Sequence, residues 1–225
     1  MVLRAAIFDC DGVLADTEPL HLRVYNQMLA PLGVVVTADQ YAAHLLGLPD
    51  REAFAAILTA AGREALPAAV TRLAEDKARA FAAVLSRELR IYPGVAAFVR
   101  SLGGAPCAVA SGALRSEIEA ILRGAMLSDA FSVIVAAGDV PSGKPDPAPF
   151  LAALAALRAR FGPLAPEECL VVEDSVVGVT AARRAGMRCL AVTNSYDAAA
   201  LADANLVVSS LAGLRWNDLP TLLAP

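Results

Sequence analysis

The sequence predicts an α/β fold: a Rossmann-like parallel sheet core with an all-helical cap domain inserted near its start. Three observations carry that expectation. Short apolar, β-compatible runs alternate with helix-compatible stretches over most of the chain. One segment, Thr17 to about Arg87, contains no such run. The length, 225 residues, suits one well-buried domain plus a smaller module and falls short of three ordinary domains. The expected division is a core of residues 1–16 and 87–225 and a cap of residues 17–86.

Taken in order, Arg4–Phe8 is a buried strand that stops at Asp9-Cys10-Asp11-Gly12, where Gly12 supplies the backbone freedom of a turn. Strands are expected again at Cys107–Ala110, Val133–Ala136, Cys169–Val172, Cys189–Val192 and Leu206–Val208. Helix-compatible stretches separate them, among them Ser116–Gly124, Pro147–Ala159 and Val176–Ala185. The insertion reads as helices at Pro19–Leu32, Ala38–Leu45, Arg51–Ala61 and Leu66–Ser86, and Pro93-Gly94 restarts the α/β alternation.

Composition narrows the function. With 57% apolar and 19% charged residues the chain is globular, and its abundant alanine favours helix. The net charge of −4 and scattered basic residues argue against a nucleic-acid partner. Charges interrupt every apolar stretch well short of a membrane span, and Asp9 arrives before a signal sequence can form, so a cytoplasmic protein is expected. Cys10, Cys107, Cys169 and Cys189 show no CxxC spacing, and two histidines are too few to complete a zinc site; free core thiols are the expectation.

The polar residues closing each strand suggest the chemistry. Asp9 and Asp11 follow the first strand, Ser111-Gly112 the second, Lys144 lies beyond the third, and Glu173-Asp174-Ser175 follows the fourth. Open α/β sheets bind ligands at that edge. A carboxylate such as Asp9 can attack phosphorus and split one difficult displacement into two. Its charge repels a phosphate, so a hard cation is needed between them, and Mg²⁺ suits carboxylate and phosphate oxygens. Asp9 and Asp174 are the natural ligands, with Glu173 close by. Lys144, Ser111 and neighbouring backbone N–H groups such as that of Gly112 can bind phosphate oxygens. Asp11 can protonate the leaving oxygen and then deprotonate the attacking water. Singly, each residue has a plainer reading: paired acids cap helices, Ser111 can be an N-cap, Lys144 a surface charge. Their order at successive strand ends is what argues for a site.

The motifs Asp9-Cys10-Asp11-Gly12-Val13-Leu14-Ala15-Asp16-Thr17-Glu18, Ser111, Lys144-Pro145 and Glu173-Asp174-Ser175 together resemble the four ordered motifs of the haloacid dehalogenase-like hydrolase superfamily. The form of the first motif, with helices inserted directly after it, is similar to the β-phosphoglucomutase and CbbY-type phosphatase branch. The resemblance implies Asp9 as nucleophile, Asp11 as general acid/base whose main-chain carbonyl also ligates Mg²⁺, and Asp174 as the last protein ligand. It also implies a hinge at Asp16-Thr17.

In the insertion, Lys77 falls inside an apolar stripe of Leu66, Val70, Leu73, Phe81 and Val84. It either snorkels past the stripe edge or meets the substrate, and the run Leu73-Ala74-Glu75-Asp76-Lys77 is similar to a β-phosphoglucomutase segment that carries a substrate-facing lysine. His21, one turn past Thr17, and Arg51 are further substrate candidates, each with a solvated alternative. Arg51 sits later than the corresponding arginine of the mutase. His44 and Trp216 read as structural. The leading expectation is a phosphatase acting on a small phosphorylated metabolite, first a sugar phosphate, as a monomer. The alternatives are a β-phosphoglucomutase-type mutase and a catalytically silent binding protein on the same fold.

Overall fold

The computed structural model describes residues 2–223. They form two compact units that meet in sequence between Asp16 and Thr17 and between Leu89 and Arg90.

The first unit holds a parallel sheet in the order β3-β2-β1-β4-β5-β6. Its strands are β1 (Ala5–Phe8), β2 (Cys107–Ala110), β3 (Val133–Val135), β4 (Cys169–Glu173), β5 (Arg188–Val192) and β6 (Leu206–Val208). β1 and β4 are central neighbours in register Phe8↔Val172. Since the chain winds outward in opposite directions from this pair, the switch point falls between them. Side chains alternate across the sheet. Ala5 and Ile7 of β1 join a core with Phe150, Leu154, Val171, Val179 and Ala182, drawn partly from α7 (Ala148–Phe161) and α8 (Val176–Arg184). Phe8 meets Phe98 and Phe131 edge-on, with centroids 6.0 and 5.5 Å away; each such pair adds ~0.5–1.5 kcal/mol beyond area burial.

The second unit contains α1 (Glu18–Leu29), α2 (Ala38–His44), α3 (Asp50–Ala60) and α4 (Pro67–Glu88). Their apolar faces build a separate core around Tyr25, Leu29, Phe54, Ile57 and Val70. Thr37 caps α2 through a reciprocal pair of bonds with Gln40, an arrangement that contributes about 1 kcal/mol.

Several expectations shift. β4 extends one residue further, so Glu173 is part of the strand and Asp174 is the first residue past it. Ser111 does not cap α6 (Arg115–Gly124), which begins after Leu114. Its hydroxyl instead accepts the Ala113 N–H at 3.2 Å. α5 (Val95–Ser101) follows Gly94 and was not anticipated; it is too short for a strong periodic signal. In α4 the buried stripe is Val70, Lys77, Phe81 and Leu85, while Leu66 precedes the helix at 51% exposure. The segment after β6 ends in α9 (Leu219–Leu222), preceded by a turn in which Trp216 is buried. His44 is exposed. All four cysteines are free and buried.

Candidate active site

The register of the central strands delivers the acids. The Asp9 N–H continues the ladder to the Val172 carbonyl at 2.9 Å, which sets Asp9 beside the end of β4. Three carboxylates, from Asp9, Glu173 and Asp174, each offer an oxygen within 4.8 Å of the others. Lys144 inserts its ammonium among them, 2.6 Å from Glu173 Oε1 and 2.9 Å from Asp9 Oδ1, with the Phe150 ring 4.9 Å below. The charges do not balance. Three buried acids face one lysine, and Asp11 stands near enough to add to the repulsion.

The imbalance appears in the ionisation of the groups. Burial pushes the Asp9 carboxyl up to about 7; Lys144 pulls against this, while Glu173 and Asp11 add to the rise. Burial opposes the charge of Lys144, but Asp9 and Glu173 outweigh it and hold its pKa above the ordinary lysine range. Lys144 is therefore a fixed cation. Cys10, between the two acids, is held as a neutral thiol by burial and then by the charges of Asp11 and Asp9.

Glu173 is fully buried and its oxygens are heavily used. Oε1 takes the Lys144 bond, and Oε2 accepts from the N–H groups of Asp174 and Ser175 and from the Ser175 hydroxyl at 2.9–3.1 Å. A carboxylate has about four lone-pair sites, so Glu173 is engaged in anchoring Lys144 and the turn after β4. Gly178 makes room for it, because a Cβ there would overlap the Glu173 carboxylate. Gly12 has a φ of 72°, a left-handed value that favours glycine, and a Cβ there would overlap the carboxylate of Asp174.

A divalent cation fits these residues. The donors are all oxygens, they lie within 4.8 Å of one another, and a 2+ charge would offset the excess of acids. Asp9 and Asp174 are best placed to hold it.

On the second strand end, Ser111 is buried and Gly112 is exposed with open space on its Cα. The first unit thus gathers Asp9, Asp11, Ser111, Gly112, Lys144, Glu173 and Asp174 on the carboxyl-end edge of one sheet. Asp16 accepts from the Tyr92 hydroxyl at 3.4 Å, and its N–H donates to the Arg90 carbonyl. Thr17 is buried at the start of α1, where its carbonyl accepts the N–H groups of Leu20 and His21.

Lys77, His21 and Arg51 lie in the second unit. Lys77 does not snorkel: its side chain is 1% exposed, its ammonium is 2.6 Å from Asp50 Oδ1 and 2.8 Å from His21 Nδ1, and it lies over the rings of Tyr25 and Phe81. Arg51 is exposed, one position round α3 from the Asp50 that joins the cluster. Asp50 was missed because it reads as a helix-start acid. Asn194 and Ser195, past the end of β5, were missed as well, although the strand-end pattern that found Ser111 and Asp174 extends to them.

A family model described as haloacid dehalogenase-like hydrolase matches residues 3–186. The chain belongs to that family. It is 33% identical over 210 residues to a phosphorylated carbohydrates phosphatase of Thermotoga maritima, covering 91% of this chain and 93% of that one. The crystal structure of CbbY from Rhodobacter sphaeroides in complex with phosphate has a TM-score of 0.84 at 30% identity, over 95% of this chain and 96% of that one. A β-phosphoglucomutase structure from Clostridium difficile has a TM-score of 0.86 at 24% identity, over 99% and 97%, a likeness of fold. Within the family the chain is a phosphoric monoester hydrolase. Among the described residues, no helix is long and apolar enough to cross a membrane.

Proposed function

We propose that this enzyme hydrolyses a small phosphorylated carbohydrate through an aspartyl-phosphate on Asp9, with Mg²⁺ as cofactor. The observation that carries the reading is the excess of buried carboxylate around one fixed lysine. Such a site binds cations, and through them phosphate. Asp9 attacks phosphorus, and its Oδ–P bond forms as the bond to the sugar oxygen breaks. Asp11 gives that oxygen a proton. Asp11 then takes a proton from the water that attacks phosphorus, the Asp9 Oδ–P bond breaks to restore the carboxylate, and inorganic phosphate departs. Lys144 and Ser111, with the N–H of Gly112, hold the phosphoryl oxygens. Asp9, Asp174 and the main-chain carbonyl of Asp11 would hold Mg²⁺, which supplies charge neutralisation between nucleophile and phosphate. The named activity of the Thermotoga relative supports a carbohydrate substrate.

A mutase must hold a second phosphate on its bisphosphate intermediate, and Lys77 and Arg51 are the cations the sequence offers for it. Lys77 is neutralised by Asp50, and Arg51 stands outside that cluster. This supports hydrolysis. The test is a screen of sugar phosphates with Mg²⁺, measuring released phosphate beside hexose 1-phosphate to 6-phosphate isomerisation. Phosphate release is expected; isomerisation without release would overturn the hydrolytic reading.

A further inference from the structure

β5 contributes a fifth strand end to the site edge, and Asn194 and Ser195, which follow Thr193 beyond it, reach into two other strand ends. Asn194 Nδ2 donates to the Gly12 carbonyl at 2.7 Å, 182 residues away in sequence. The Ser195 hydroxyl donates to Oδ2 of Asp174. These are the same two residues that pack against each other without room for a side chain at Gly12, and Ser195 Oγ is also within 2.9 Å of where that Cβ would stand. The loop after β1, the Asp174 carboxylate and the segment after β5 therefore form one contact. Its members are set by a glycine, an amide and a hydroxyl. We propose that Asn194 and Ser195 are positioning residues for the divalent-metal seat: Ser195 fixes the rotation of the Asp174 carboxylate, and Asn194 fixes the loop that carries Asp9 and Asp11.

The physical reason is the chemistry of a carboxylate ligand. A hydroxyl donating to one oxygen leaves the other as the directed ligand atom and removes rotational freedom that metal binding would otherwise have to freeze. Asp174 is 3% exposed and its neighbour Glu173 is occupied with Lys144, so the orientation of the Asp174 carboxylate is the one that Ser195 can set for the metal. Asn194 acts on the other half of the seat. By holding the Gly12 carbonyl it keeps the left-handed turn from relaxing, and the turn lies between Asp11 and the rest of the loop.

The inference rests on the metal-site reading above, and calorimetry separates the two. Mg²⁺ is titrated into the full-length, substrate-free protein as wild type, Ser195→Ala, Ser195→Thr and Asn194→Ala, and the melting temperature of each is measured without metal. Ser195→Ala should weaken Mg²⁺ binding by about 10–100-fold, Ser195→Thr should restore it, and Asn194→Ala should weaken it as well. The metal-free melting temperature of Ser195→Ala should stay near wild type. In turnover, the loss in Ser195→Ala should shrink as Mg²⁺ is raised. Wild-type Mg²⁺ affinity in Ser195→Ala overturns the inference alone. A wild-type protein that binds no divalent cation overturns the metal-site reading, and this inference with it.

Discussion

Each unit buries a lysine, and the two are handled in opposite ways. Lys144, in the sheet unit, faces Asp9 and Glu173, with Asp174 and Asp11 close behind. Lys77, in the helical unit, has one acid, Asp50, and its remaining neighbours are an imidazole nitrogen and two aromatic faces. The second arrangement is locally neutral and satisfied. The first carries surplus negative charge that folding does not relieve, and it coincides with the family's motif residues. Buried ionic clusters are thus not equal evidence of chemistry: the unbalanced one is where we propose that an external cation and a phosphate bind.

The sharpest way to break this contrast is to remove the proposed nucleophile. Asp9→Asn should lower turnover by about 10³-fold or more while the protein stays folded, measured as phosphate release against far-UV circular dichroism. Gly12→Ala comes next. It drives a methyl group into the Asp174 carboxylate and strains the turn, and a displacement of that kind costs about 100-fold in turnover. The neutral cluster should respond in stability instead. Lys77→Met leaves Asp50 without its cation; breaking a buried pair costs about 3–5 kcal/mol, and the lower end applies because the Asp50 side chain keeps 23% exposure. Adding Asp50→Leu should recover much of the loss in urea denaturation, and no recovery would mean that the pair is not the source.

The smallest effect separates the clusters by pH. Without metal, folded Asp9 holds its proton up to about 7, whereas the ordinary value is 3.8. Between these values the native state binds the extra proton, so this contribution to stability is full below about 4 and is lost as pH rises through 7. The melting temperature of Asp9→Asn relative to wild type should therefore climb across that window, and a flat difference would show that burial and the neighbouring acids do not hold the proton on Asp9.

Much of the site could be read in the chain because each functional residue stands at the end of an apolar run, and parallel strands bring such ends together. Asp9, Ser111 and Asp174 follow this rule. Lys144 lies further along, before α7, and was read as the polar residue beyond the third strand. What the sequence could not show depends on three-dimensional fit. Asp50 meets Lys77 across two helices 27 residues apart. Gly178 matters because a buried carboxylate lies against its Cα. Ser195 matters through a side chain 21 residues earlier. None of these pairings has a periodic signature. The snorkelling alternative for Lys77 fails for the same reason, since an apolar stripe does not reveal an acid on the opposite helix.

The central claim is that Asp9 carries the phosphoryl group. The enzyme is mixed with Mg²⁺ and a ³²P-labelled sugar phosphate it hydrolyses, quenched in acid during turnover, digested and mapped. Label should appear on the peptide containing Asp9 and be absent from Asp9→Asn. Turnover with no acid-stable label on that peptide, or full turnover by Asp9→Asn, would contradict the account.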